Sequence, residues 1–245
     1  MKVFLSADWR NLVNLTYRVP PEILEAYVPP GLELDLMDGH AHVSLVAFDF
    51  LNTRVKGFKV PFHTDFPEIN LRFYVRHAGR LGVCFLQEFV PKHCIALIAN
   101  KVYNEPYVAF PMESKTEVRE DGRLQLQHRL WKGSSELNLN LTIGPETHIP
   151  DASSMEHYFK EHDWGFGKDK KGETLAYFVE HPVWETKEIE SIDLQLDFGS
   201  IYGKHWEFLN DQKPAYSLFA SGSAIKVYSA VKLSEFEDGL PQPKT

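Results

Sequence analysis

Residues 66–76 read "FPEINLRFYVR", and within them Glu68, Asn70, Arg72, Tyr74 and Arg76 alternate with Ile69, Leu71, Phe73 and Val75. Such alternation marks a strand, because successive strand side chains leave on opposite faces of a sheet. The feature constrains the fold twice: it demands a sheet, and it demands a place for a face carrying an acid, an amide and two arginines. Solvent is one such place, since an antiparallel sheet often keeps one wet face. The polar interior of a barrel is the other, and there the same side chains would touch a ligand. Alternation alone leaves both open.

Strand-like runs dominate the rest of the chain. They read "LVNLTYRV", "LELDL", "HAHVSLVAFDFL", "LGVCFLQEFV", "SKTEVR", "LQLQHRLWK", "SELNLNLTI", "TLAYFVE", "VWETKEIESIDLQLD" and "SAIKVYSAVKL", with turns at "MDG", "HAGR" and "REDGR". Adjacent pairs around those turns predict hairpins. Helical signals are fewer: "PPEILEAYV" with prolines suited to a first turn, apolar "KHCIALIANKVY", serine-capped "SSMEHYFKEHD" and a short "YGKHWEFLN". With no repeat and no long linker, the pattern predicts a mainly β (α+β) fold in one domain over residues 1–240, with a frayed tail at 241–245. "WGFGKDKKGE" has the wrong spacing for a phosphate-binding loop and is expected to form an exposed, mobile one.

Composition narrows the partners. A formal net charge of -8 argues against nucleic acid and anionic membranes, both of which are bound by basic patches. No stretch of about 18 apolar residues is present to span a bilayer, and the N-terminus lacks the long apolar region of a secretory signal. Two isolated cysteines, Cys84 and Cys94, suggest neither a disulfide scaffold nor a zinc site. These readings predict a cytoplasmic protein whose partner is a small molecule.

Several polar groups are candidates for chemistry. His40 and His42 share a strand face, as do His63 and Asp65, and two-residue spacing suits metal ligation. No third ligand can be placed, so no metal is assigned. His157 and His162 sit on or beside a predicted helix and are expected to face solvent. Lys101 lies at the end of an apolar helix and is also read as solvent-facing, because lysine is rarely buried without a partner. No GxSxG nucleophile motif occurs.

The stretches "YRVPPEILEAYVPPGLELD", "GHAHVSLVAFDF", "VPFHTDFPEINLRFYVR", "GVCFL" and "NEPYVAFPM" together resemble the YqjF-like family of uncharacterised conserved proteins, which is related to acetoacetate decarboxylase. The resemblance runs over most of the chain and is strongest from Trp9 to Met112. It implies an acetoacetate-decarboxylase-like antiparallel cone or barrel around a ligand cavity, with the polar face of residues 68–76 turned inward, and it implies a homo-oligomer. In the decarboxylases an arginine and two glutamates line the cavity, and a lysine forms a Schiff base with the ketone. Carried onto this chain, the arginine falls on Arg10 and one glutamate on Glu68. The other glutamate falls near Ser44, and the lysine falls on Tyr107.

A Schiff base needs a primary amine, which tyrosine cannot supply. Lys101, the nearest lysine in sequence, would enter from a different face. The resemblance therefore implies a small-molecule site, for a carboxylate or keto-acid-like ligand, without Schiff-base decarboxylation and without a cofactor. Glu68 as general acid/base and Tyr107 as hydrogen-bond donor are the expected catalytic groups. Arg10, Asn70, Arg72, His63 and Ser44 are the expected ligand contacts. A non-catalytic binding or sensing module, and a lysine-independent lyase or hydrolase acting through Glu68, stand beside this reading. The residues leave open whether the chain is an enzyme.

Overall fold

Alternation along the chain is realised as one continuous sheet in a computed structural model that describes residues 1–102 and 104–236. The tail at 241–245 lies outside the described residues. The first long strands are β1 (Val3–Val19), the short β2 (Glu33–Leu34), β3 (Ala41–Val55), β4 (Phe66–His77) and β5 (Arg80–Val90). Helix α1 (His93–Val102) leads to β6 (Tyr107–Ala109), and β7 (Met112–Val118), β8 (Leu124–Lys132) and β9 (Ser135–His148) form a meander. Helix α2 (Met155–Lys160) precedes β10 (Trp164–Lys168), β11 (Thr174–Glu180) and β12 (Thr186–Leu196). A short α3 (Phe198–Tyr202), β13 (Tyr216–Tyr228) and β14 (Val231–Lys232) complete the order. The proline-bounded segment at 21–27 is two 3₁₀ turns rather than a longer helix.

Seven of these strands close on themselves in the order β11, β10, β5, β4, β3, β1, β13, with β13 returning to β11 through Val179 opposite Val227 and Glu180 opposite Lys226. The sheet then leaves the ring from β13 through β12, β9, β8 and β7. The result is an irregular cone rather than a regular barrel, and it is not wholly antiparallel: β10 and β6 both run parallel to β5. The segment expected to be an exposed loop at 164–173 begins instead with β10, whose Trp164, Gly165 and Phe166 are buried. Its glycine is required for close approach, since a Cβ on Gly165 would lie 2.1 Å from the ring of Tyr177.

Strand β4 is apolar outward and polar inward. Ile69, Leu71, Phe73 and Val75 pack with Val13, Leu15, Leu126, Leu139 and Trp206 in a core between the ring and the part of the sheet that leaves it. Full burial of each such side chain is worth about 1.5–3 kcal/mol. On the inner side a second apolar set, including Phe48, Phe50, Phe66, Val179 and Trp184, lines the cone. A third cluster of Tyr74, Val83, Phe159 and Leu218 fills one end, where α2 carries Phe159 into the ring. Glu68, Asn70 and Arg72 are left facing a cavity, so the polar face that alternation could not place belongs to the interior.

Candidate functional site

The cavity has a volume of about 150 Å³. Its wall is largely apolar, with Trp9, Phe48, Phe85 and Trp164 among the lining side chains, and Ile95 and Ile98 of α1 cover one side. Into this apolar space project Glu68, Asn70 and Arg72 from β4, Glu88 from β5, Tyr107 from β6, and Glu105 from the segment before β6. Pairing explains the grouping: Asn70 stands opposite Glu88, and Glu88 opposite Tyr107, so these side chains leave adjacent strands side by side.

Glu68 is the hub. Its Oε1 accepts from Asn70 Nδ2 at 3.0 Å and its Oε2 accepts from the Tyr107 hydroxyl at 3.0 Å. At 2% exposure the carboxyl has almost no water, and burial lifts its pKa to about 7 against the opposing pull of those two hydrogen bonds and the Arg72 charge. Burial likewise raises Glu105 to about 8, opposed by the bond it accepts from the Tyr177 hydroxyl and reinforced by the Glu68 charge. Glu88 is held well above the usual carboxylate range by burial and by both other glutamates. Burial, and then the same three carboxyls, push the Tyr107 phenol upward, so it remains a donor. Two of the three acids are thus placed to gain or lose a proton near neutral pH.

Cationic and imidazole groups occupy another part of the wall. Arg72 Nη2 donates to the Phe159 carbonyl at 3.3 Å, and its guanidinium lies 5.8 Å from the Tyr74 ring centroid. His162, expected to face solvent, is instead a buried lining residue. Burial and the neighbouring Arg72 lower its pKa to about 3, so the ring is neutral. Lys160, at the end of α2, lines the cavity with a side chain 1% exposed and pairs with Glu161, which also accepts from the Trp184 backbone N–H. The donor atoms of Glu161, Asp163 and His181 lie within 4.8 Å of one another. A metal ion there would have to displace the Lys160 pairing, so the arrangement fits an anchored lysine better than a metal centre.

The structure brings together Glu68, Tyr107, Asn70 and Arg72, with His63 on the cavity wall. Two expected contacts lie elsewhere. Arg10 is not a lining residue and donates to the Gly222 carbonyl at 3.2 Å. A bulge in β1, with Asn11 at φ 57° and a register shift between Arg10 and Val13, resets the alternation so that Trp9 and Leu12 point into the cavity. Ser44 is fully buried in a polar row, bonded to Thr16 Oγ1 at 2.7 Å and to the Tyr74 hydroxyl at 2.5 Å. There α2 fills the cone, with Asn14 bonded to the Phe159 carbonyl at 3.3 Å, and Ser44 has no face on the cavity. Lys101 is exposed and outside the lining, as its solvent-facing reading expects. His40 is exposed and His42 is buried against Phe159, so the HxH pair forms no joint site.

The profile of the DUF2071 family, described as uncharacterised conserved proteins, matches residues 6–224. The chain belongs to the DUF2071 family. A curated relative, the uncharacterized protein YqjF of Bacillus subtilis (strain 168), is 33% identical to this DUF2071 protein over 108 residues. That match spans 44% of the chain and 45% of the relative. Among solved structures, acetoacetate decarboxylase from Legionella pneumophila subsp. pneumophila str. Philadelphia 1 superposes with a TM-score of 0.65 at 16% identity, covering 94% of this chain and 87% of that one. An acetoacetate decarboxylase-like enzyme from Sphingomonas wittichii RW1 gives 0.64 at 15% identity over 95% and 94%. The enduracididine biosynthesis enzyme MppR, complexed with pyruvate, gives 0.65 at 14% identity over 97% and 93%. At these identities the likeness establishes the acetoacetate-decarboxylase-like fold of this DUF2071 protein. Among the described residues no helix is long and apolar enough to cross a membrane.

Proposed function

We propose that the cone of this DUF2071 protein takes a small organic carboxylate, of the keto-acid class, and that Glu68 moves a proton on it. The observation that carries this reading is the Glu68–Tyr107 hydrogen bond inside an apolar cavity that also presents Arg72. Arginine matches a carboxylate with a planar fork. A carboxyl titrating near pH 7 can both take and return a proton under the conditions in which the protein works. Once Glu68 has taken that proton it no longer needs the Tyr107 O–H as a donor, and in this reading the phenol, held protonated, turns its one O–H from Glu68 to the carbonyl oxygen as negative charge grows there. Together they support lysine-independent lyase or hydrolase chemistry that begins by proton transfer beside a carbonyl. The pyruvate complex of MppR, a protein of the same fold, is in keeping with this ligand class.

A second reading is a binding or sensing module, favoured by Tyr107 standing where the resemblance would require an amine. Pyruvate in deuterated buffer separates the two. The enzyme reading expects deuterium to enter the methyl group of pyruvate under catalysis by the native protein, with Glu68→Gln slower by about 100-fold or more. Binding of pyruvate with no exchange above the uncatalysed rate would leave only the binding module. Undiminished pyruvate affinity in Arg72→Ala would remove the carboxylate site itself.

A further inference from the structure

Net charge is an average over the molecule, and one face of the cone departs from it. Residues 54–64, at the end of β3 and in the loop after it, and residues 91–102, which include α1, hold five of the 26 lysines and arginines and none of the 34 acidic residues. The five are Arg54, Lys56, Lys59, Lys92 and Lys101, and none of them is in an ion pair among the described residues. Asp8 and Asp65, the acids beside this face, are both engaged by Asn52.

The same two segments expose apolar side chains. Phe58 and Phe62 are 76% and 90% exposed, and Leu97 of α1 is 69% exposed beside Ile98. Cys94, Leu97, Ile98 and Lys101 are all exposed and share one helix face, which thus turns two aliphatic side chains and a lysine to solvent. The segments meet, since Val55 and Ile95 pack against one apolar cluster. Val60 and Ile98 line the cavity while each is 37% exposed, so the patch borders the opening of the cone.

Apolar side chains grouped in this way mark an interaction surface, and charge selects the partner. A second copy presenting the same face would set cations against cations with no acid between them. A phosphate backbone would answer the cations and leave Leu97 and Ile98 in water. An anionic bilayer answers both, because its headgroups attract the lysines while apolar side chains enter the boundary with the acyl chains.

We propose that this face docks on an anionic lipid surface, with Phe58 and Phe62 inserted, Lys56 and Lys59 on the headgroups, and Leu97 and Ile98 of α1 turned to the same surface. The inference is independent of which ligand the cavity takes.

Vesicle co-sedimentation of the full chain tests this, with phosphatidylcholine alone compared with phosphatidylcholine containing about 30% phosphatidylserine. At low salt the native protein is expected to bind the anionic vesicles about tenfold or more tighter than the neutral ones, and less tightly as salt screens the lysines. Lys56→Gln with Lys59→Gln is expected to weaken binding by about tenfold or more, since each cation near the surface is worth about fivefold. Phe58→Ser with Phe62→Ser is expected to weaken it by about tenfold or more at low and high salt alike. Lys170→Gln with Lys171→Gln, in the exposed turn after β10, is expected to stay within about twofold of native. All six side chains are exposed, so each variant is expected to unfold at the native temperature.

No binding to anionic vesicles, equal binding to both vesicle types, native affinity in either mouth variant, or an equal loss in the Lys170→Gln, Lys171→Gln control would each overturn the inference. A duplex oligonucleotide that binds the native protein more tightly than the anionic vesicles do would assign the face to nucleic acid and also overturn it. So would a native mass in light scattering that falls to the monomer in Phe58→Ser with Phe62→Ser, which would assign the face to a second copy.

Discussion

Replacing Glu105 by glutamine tests the electrostatics of the cavity without touching its shape. Gln keeps the oxygen that accepts from the Tyr177 hydroxyl and cannot ionise. In the native protein burial raises Glu105 from an ordinary 4.5 to about 8. The folded state therefore holds the proton more tightly than the unfolded chain does. That contribution is fully present below about pH 4.5, is lost as pH rises toward 8, and is gone above it. Each pKa unit corresponds to about 1.36 kcal/mol, so the full loss is about 5 kcal/mol. Deleting one charge also relieves Glu68 and Glu88, and the cavity can hydrate, so the expected difference is about 2–5 kcal/mol.

Urea denaturation of both proteins at several pH values from 5 to 9 is the assay. The native protein is expected to lose stability over this range more steeply than Glu105→Gln, and the difference between the two curves to flatten above pH 8. A constant offset between them is without significance, since the amide adds a donor that must find its own partner. Parallel curves across the whole range would refute the reasoning, because they would mean that Glu105 ionises in the fold as easily as in water.

Three further outcomes follow from the same geometry. Tyr107→Phe removes a bond that holds the Glu68 pKa down, so the pH dependence of pyruvate exchange should move upward, and stability should fall by about 1–2 kcal/mol in denaturant titration. Gly222→Ala should cost about 3 kcal/mol or more in thermal or chemical unfolding, because Gly222 sits at φ 77° and a Cβ would lie 2.1 Å from the Trp9 carbonyl oxygen. Borohydride treatment with pyruvate should yield no adduct on exposed Lys101, nor on Lys160, whose amine is engaged by Glu161; mass spectrometry showing pyruvyl-Lys160 would make that lysine a nucleophile and displace the acid/base reading.

Most of the strand pattern was legible because alternation is local: the hairpin of β4 and β5 and the limits of β11 follow directly from the residues. The inward direction of β4 was not local, and it came from the resemblance, since a strand with one polar face has the same sequence whether that face meets water or a cavity. Glu88 shows a further limit. From the tight turn, with His77 opposite Arg80, regular pairing would set Asn70 against Gln87. A bulge between Leu71 and Arg72 shifts the register by one and brings Glu88 to the cavity instead. The bulge in β1 does the same to Arg10, in the opposite sense. Glu105, in an irregular segment, and Lys160 and His162, at and just beyond the end of a six-residue helix, carry no periodicity from which direction could be read.

The two faces of β4 give the fold a capacity for change. Ile69, Leu71, Phe73 and Val75 hold the outer core, while Glu68, Asn70 and Arg72 address the cavity. Positions of odd number answer to folding and those of even number to whatever the cone encloses. Selection can thus alter ligand preference through alternate codons of one strand while the scaffold beside them stays fixed.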